Sequence, residues 1–216
     1  MDKDARCFTA HALLDCGPPL SSKWGGPMKI PHSTDRRVLR TRVALRNALL
    51  ALTVERGWDA IGIRDICQRA GVGRSTFYTH YADKEELLFS GFDDLRSMLR
   101  ASARMAPSAM PLGFTRRLLE HVEENKRMFR ALIGKRASQL ATQHLLRVVM
   151  ELIRDDLAPL LPPEKLDPTV HFLGGGLVQL LAWWAETRSS LAGEDIEALF
   201  RQFATRMSQR VGDSAR

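Results

Sequence analysis

The sequence predicts an all-α protein of about nine helices, a small N-terminal three-helix bundle followed by a larger C-terminal helical domain. Three observations carry that prediction. Apolar residues recur at spacings of three and four along most of the chain, while sustained period-two alternation is nearly absent. No hairpin dipeptide joins two apolar runs. Glycines and prolines fall mainly between the periodic segments, where helices must stop and restart.

Taken in order, residues 1–34 are broken by Gly, Pro and Ser, as in GPPLSSKWGGP and IPHS, and lack periodicity. A disordered or loosely docked tail is expected there. Met28 is an alternative start to Met1, because the periodic segments lie beyond it. A first helix is expected over about 35–56, with Leu45, Ala48, Leu49 and Leu52 as its apolar stripe and Gly57 as its stop. The second covers about 63–70 on Ile63, Ile66, Cys67 and Ala70, and Gly71 breaks it. The third covers about 74–80. The fourth opens at Asp83, whose carboxylate caps the helix start, with Glu86 three residues on. Its inner face is Leu88, Gly91, Phe92, Leu95 and Leu99.

MAPSAMPLG, 105–113, reads as a linker. Helices are then expected over about 114–124, 126–133 and 138–158, the last stopped by prolines 159, 162 and 163. Asp167-Pro168 reads as a cap and first-turn proline opening a helix that runs to about 188. The last helix, about 194–209, has Ile196, Leu199, Phe200, Phe203 and Met207 on one side.

Composition narrows the class. Hydrophobic residues make up 44% and charged residues 26% of 216, the balance of a soluble globular chain. No apolar run reaches the ~18 residues of a membrane span, and no signal-peptide pattern stands at the start, so a cytoplasmic location is expected. Three cysteines, Cys7, Cys16 and Cys67, with no CxxC pair, argue against a disulfide framework or a zinc ribbon. No nucleophile–base pairing, paired carboxylate motif or phosphate loop is present, so neither an enzyme nor a cofactor is expected. The formal charge is +7. Residues 35–84 hold ten Lys/Arg against five Asp/Glu and carry most of that excess. A local basic excess is the footprint of a polyanion binder, or else simply a solvated basic face.

The segment GVGRSTFYTHYADKEEL, 71–87, decides between them. Two short helices separated by AGVG and preceded by a longer one form a helix-turn-helix pattern. On a wheel at ~100° per residue, Phe77 and Tyr81 share a side and would be buried. Ser75, Thr76 and Thr79 fall opposite, as short side chains that reach base edges and thymine methyls in a major groove. Tyr78 and His80 flank them and suit phosphates. Arg74 can reach a guanine or a phosphate, and Lys84 stands at a positive helix start. Arg36, Arg37, Arg40 and Arg42 read equally as a solvated helix end and as DNA-backbone or minor-groove contacts.

IRDICQRAGVGRSTFYTHYADKEEL resembles the DNA-binding segment of TetR-family transcriptional regulators. The family pattern is roughly T-[VI]-R-D-I-A-x-x-A-G-V-S-x-x-T-[FL]-Y-x-H-F-x-x-K-x-x-L. Arg64-Asp65-Ile66, Ala70-Gly71-Val72, Thr76-Phe77-Tyr78, His80, Lys84 and Leu87 match it. The resemblance spans about 40–90 and adds Arg64 to the expected DNA contacts. Four positions depart: Gly62 replaces a Thr that caps the second helix and often touches a phosphate, Gly73 replaces a capping Ser, Cys67 an Ala and Tyr81 a Phe.

The C-terminal half resembles, more weakly, the ligand-binding domain of one TetR subgroup, in LLEHVEENKRMFRALIG and in the GGG…W…W stretch. The resemblance implies pairing through the last two long helices. Leu173, Gly174, Leu177, Leu180, Leu181 and Trp184, then Ile196, Phe200 and Phe203, are the expected core or dimer seam. The Gly174-Gly175-Gly176 run costs roughly 1 kcal/mol per residue against Ala within a helix, which either close helix approach at the dimer seam or a local kink beside a pocket would offset. An effector pocket is implied among Phe114, His121, Met128, Phe129, His144 and Met150, with His171, Phe172 and Trp183. The histidines lie on separate helices without HxxxH spacing, so no metal is expected. The expected function is a ligand-responsive repressor that binds a palindromic double-stranded DNA operator as a homodimer and answers to an unidentified small molecule. The alternative is a TetR-like coactivator or co-sensor that works through a protein partner.

Overall fold

A computed structural model describes residues 33–105, 111–133, 139–187 and 189–213. The expected tail over 1–32 and most of the expected linker lie outside the described residues. Nine α-helices and a 3-10 turn, with no strand, make up the regular structure among them. The helices are α1 (Ser33–Arg56), α2 (Ile63–Ala70), α3 (Arg74–His80), α4 (Lys84–Met105), α5 (Phe114–Glu124), α6 (Lys126–Ile133), α7 (Gln139–Leu157), α8 (Pro163–Glu186) and α9 (Gly193–Asp213). The 3-10 turn is Trp58–Ala60.

The predicted stripe of α1 is the buried one: Leu45 and Leu49 are fully enclosed and Ala48 and Leu52 nearly so. They meet Ile66, Cys67, Phe77 and Tyr81 from α2 and the end of α3. Burial raises the pKa of the Cys67 thiol, which fits its packing as a small apolar group. Gly71 ends α2 at φ 64°, where its N–H bonds Gln68 O and the Val72 N–H bonds Cys67 O. That left-handed residue lets the chain reverse without strain and sets α3 across α2.

Asp83 caps α4 as predicted, its Oδ1 accepting the Glu86 N–H at 2.7 Å. Glu86 reaches back to the Ala82 N–H at 2.6 Å. From there α4 runs between two partners. Its first half is tied to α1 by the Arg46–Asp94 ion pair, and its second half to α7 by Arg96–Glu151 at 2.8 Å and Arg100–Asp155 at 2.6 Å. The His144 ring of α7 stacks on Phe89 of α4 at 4.3 Å between centroids, with Phe92 at 5.4 Å.

One helix start differs from expectation. Asp167-Pro168 does not open α8; Pro162 precedes it, Pro163 is its first residue and Pro168 lies inside. A proline at the first position gives up only an amide that has no helical partner, so Pro163 is the better start. Asp167 pairs with Arg154 of α7 instead of capping. The helix ends at Glu186, and Thr187 takes extended backbone.

The glycine run also resolves. A Cβ on Gly174 would lie 2.6 Å from Met150 Cγ, so this glycine lets α8 approach α7. Gly175 and Gly176 meet nothing within 4 Å.

Candidate nucleic-acid interface

The surface of α3 follows from which of its side chains the core takes. Phe77 is 0% exposed and Tyr81, just past the helix end, 3%. Arg74, Ser75, Thr76, Tyr78 and Thr79 are all exposed, on a helix only seven residues long. The Tyr78 ring packs edge-on against Phe77 at 5.5 Å between centroids and still leaves half its surface outside. A backbone of short polar side chains thus stands clear of the bundle, with a ring anchored on its flank. Thr79 Oγ1 donates to Ser75 O at 3.0 Å, which fixes its rotamer and leaves the oxygen as an acceptor. His80 is half-buried beside Tyr81, at 6.4 Å between rings. Arg64, on α2, is exposed.

Lys84, which the sequence places at a positive helix start suited to a phosphate, also has partners within the fold. Its Nζ donates to Trp58 O and Ile61 O, both at 3.0 Å, and stands 4.4 Å from the centre of the Trp58 ring. Two of its three ammonium protons therefore bind the turn between α1 and α2 to the start of α4. The Trp58 carbonyl already accepts the Ile61 N–H at 3.3 Å, so Lys84 is its second donor, while at Ile61 O the ammonium ties the turn to α4. Sequence reasoning overlooked Trp58, 7% exposed; the pairing of an aromatic after Gly57 with a lysine at a helix start was the available signal.

The cap positions vary in the same segment. Gly62, before α2, has no side chain to cap with, but Asp65 Oδ2 accepts its N–H at 2.9 Å. Gly73, before α3, holds extended backbone at φ −68° and makes no side-chain cap bond. Tyr81, in place of the phenylalanine that the resemblance implies, uses its hydroxyl: Arg42 Nε donates to it at 3.0 Å.

In the C-terminal region the expected pocket residues divide. Phe114, His121 and Phe129 are buried, with the His121 ring edge-on to Phe129 at 5.8 Å. Burial chiefly, and Arg117 as well, hold the pKa of His121 below its ordinary value. Met128 and Met150 are half-buried against the core, and His144 is half-buried with its pKa lowered by burial. His171, Phe172 and Trp183 point outward, Phe172 at 68% exposure. They cannot line an interior site in this conformation, because their neighbours Leu173 and Trp184 hold the inward positions.

The expected seam divides too. Leu173, Gly174, Leu177, Leu181, Trp184, Ile196 and Phe200 are buried within one chain and have little or no surface left for a second. Leu180 is half-buried. Phe203, 60% exposed, stays available, and Leu199 is exposed beside it on α9. Among the described residues no group of three or more His, Cys, Asp or Glu is placed to hold a metal ion, and no helix is long and apolar enough to cross a membrane.

Comparison with known proteins places these features. Residues 45–90 match the family model for bacterial regulatory proteins of the tetR family, and residues 111–206 match a model for a transcriptional regulator C-terminal region. Over 55 residues, a quarter of this chain, the sequence is 51% identical to YxbF of Bacillus subtilis (strain 168), an uncharacterized HTH-type transcriptional regulator; that stretch spans 14% of YxbF. The fold matches a TetR transcriptional regulator from Streptococcus agalactiae 2603V with a TM-score of 0.62 and 26% identity, over 79% of this chain and 97% of that one. It also matches RolR in complex with resorcinol, with a TM-score of 0.54 and 22% identity, over 80% and 89% of the two chains.

Proposed function

The chain belongs to the TetR family of DNA-binding transcriptional regulators, and from that premise we propose that it is a ligand-responsive repressor acting as a homodimer on a palindromic operator. The observation that carries the DNA reading is the two-sided α3, which buries Phe77 and offers Arg74, Ser75, Thr76 and Thr79 outward. In this reading those four read base edges, while Tyr78, His80 and Arg64 hold phosphates.

The homodimer reading is supported by an apolar face that one chain leaves uncovered. Phe172, Gly176 and Trp183 are exposed along α8, and Leu199 and Phe203 along α9. Large exposed aromatics gathered on two helices mark an interaction surface. A second copy is the occupant we assign, since a two-fold pair would set two α3 helices on successive major grooves ~34–36 Å apart. The effector would lie near His121, Met128 and Phe129, where a buried imidazole meets an aromatic edge. RolR, which shares the fold, binds resorcinol; this supports a small molecule in the C-terminal helices without naming one. An effector that binds better to the chain off DNA would weaken the operator complex by linkage.

The missing hydroxyl at Gly62 favours a second reading, a co-sensor acting through a protein partner. Selection of duplexes from a random pool with the full-length protein separates the two. Recovery of an inverted repeat supports the operator reading. Binding no tighter to the selected pool than to the starting pool would sink it in favour of the partner.

A further inference from the structure

Arg42 occupies a particular place on α1. It precedes Leu45, the first buried residue of that helix, by three positions, so both lie on the same side. The core has ended at that level, and the side chain hangs over the end of α3 instead of entering the bundle. There Arg42 Nε donates to Tyr81 Oη at 3.0 Å, and its guanidinium carbon lies 5.7 Å from the centre of the Tyr81 ring. Among the described residues no carboxylate oxygen stands within 4.0 Å of it. Asp94, which acts on it electrostatically, is engaged by Arg46. Arg42 therefore spends one donor on a neutral hydroxyl and keeps its charge and the remaining N–H groups on an exposed surface.

The neighbours of that surface are those of the DNA face. Tyr81 follows His80 directly, their rings 6.4 Å apart, and Tyr78 stands half-exposed one turn earlier on α3. We infer that Arg42 is a DNA-phosphate contact and that the Tyr81 hydroxyl is its positioning group, extending the backbone grip from α3 on to α1. The inference rests on the proposed DNA reading of α3. A hydroxyl that holds Nε leaves the outer pair of guanidinium nitrogens in a fixed fork, the geometry that takes a phosphate through two parallel bonds. Phenylalanine at 81 would fill the same buried volume and leave the arginine to swing. That gives a role to a tyrosine whose ring is otherwise accounted for by packing.

The test is fluorescence anisotropy with the full-length protein, on a duplex it has selected and on a scrambled one, across about 50–200 mM NaCl. Arg42→Gln is expected to weaken binding to both duplexes about 5- to 20-fold and to lower the slope of log K against log salt by about 0.9 per subunit. Arg42→Lys keeps the charge and is expected to retain the slope while losing part of the affinity. Tyr81→Phe is expected to weaken binding about 2- to 4-fold with the slope unchanged, and to add nothing to Arg42→Gln, since there is then no arginine to position. A thermal melt of each variant checks that the bundle is intact. If the wild type binds but Arg42→Gln keeps its slope and affinity, the phosphate contact is overturned. If Tyr81→Phe weakens binding as much on the Arg42→Gln background as on the wild type, the positioning role is overturned. A wild type that binds neither duplex overturns the DNA reading of α3 and this inference with it.

Discussion

Replacing Lys84 with methionine tests whether this lysine serves the fold or the DNA. The substitution keeps the aliphatic stem and removes the ammonium. Two hydrogen bonds are lost, to Trp58 O and Ile61 O, together with the contact 4.4 Å over the Trp58 ring. A charge-assisted bond contributes about 1.5–3 kcal/mol at best, and Lys84 is only half-buried, so about 1 kcal/mol for each bond is apt. The ring contact adds about 0.5 kcal/mol. The expected loss is therefore about 2–3 kcal/mol, which in a chain of this size lowers the melting midpoint by roughly 5–10 °C. Circular dichroism against temperature measures it. DNA affinity measured well below the new midpoint is expected to keep the salt slope of the wild type. A melt within about 2 °C of wild type, with a salt slope reduced by about 0.9 per subunit, would refute the reasoning and return Lys84 to a phosphate.

Three further outcomes are expected. Gly174→Ala drives a Cβ against Met150 Cγ and should destabilise by about 1–2 kcal/mol even after the gain in helix propensity, whereas Gly175→Ala, with open space around it, should stabilise by up to ~1 kcal/mol; urea unfolding of both reads the difference. Phe172→Ser combined with Phe203→Ser should convert a dimer to monomers in sedimentation, because both side chains are exposed in a single chain, and a double variant that stays dimeric at micromolar concentration would count against the assigned face. Stability should fall as the pH drops below about 6.5 and stay flat between about 7.5 and 8. The sign follows because His121 and His144 have pKa values below 6.5 in the folded chain, chiefly through burial, so the unfolded chain takes up protons first. His121→Gln should shrink that fall in the urea midpoint between about pH 5 and pH 8.

The helix-turn-helix was legible because its signals are local. The stripe on α1, the break at Gly71 and the Asp83 cap each depend on residues within one or two turns, and the bounds of α2 and α3 follow from them. Phe77 and Tyr81 were separable from Thr76 and Thr79 by wheel angle alone. Where two local signals competed, as at Pro163 and Pro168, the pattern could not rank them; Asp167 resembled a cap until its partner Arg154, on another helix, was in view. Lys84 shows the same limit, since its charge is in the sequence but its direction comes from a turn 23 to 26 residues earlier. For the C-terminal helices, periodicity identified an apolar side without saying whose surface would cover it. Leu173 and Trp184 took the interior, which turned Phe172 and Trp183 outward.

The double anchorage of α4 has a mechanical consequence. At 1.5 Å per residue its 22 residues make a rod about 33 Å long. Asp94 fastens it to α1, and α7 grips it on both sides of that point, through Phe89 and Phe92 against the His144 ring and through Arg96 and Arg100. In a rod of that length a tilt of about 5° carries the far end roughly 3 Å, about the length of one hydrogen bond. On the proposed DNA reading, a movement of that size at the α3 end of the rod would match the reach of a single base contact.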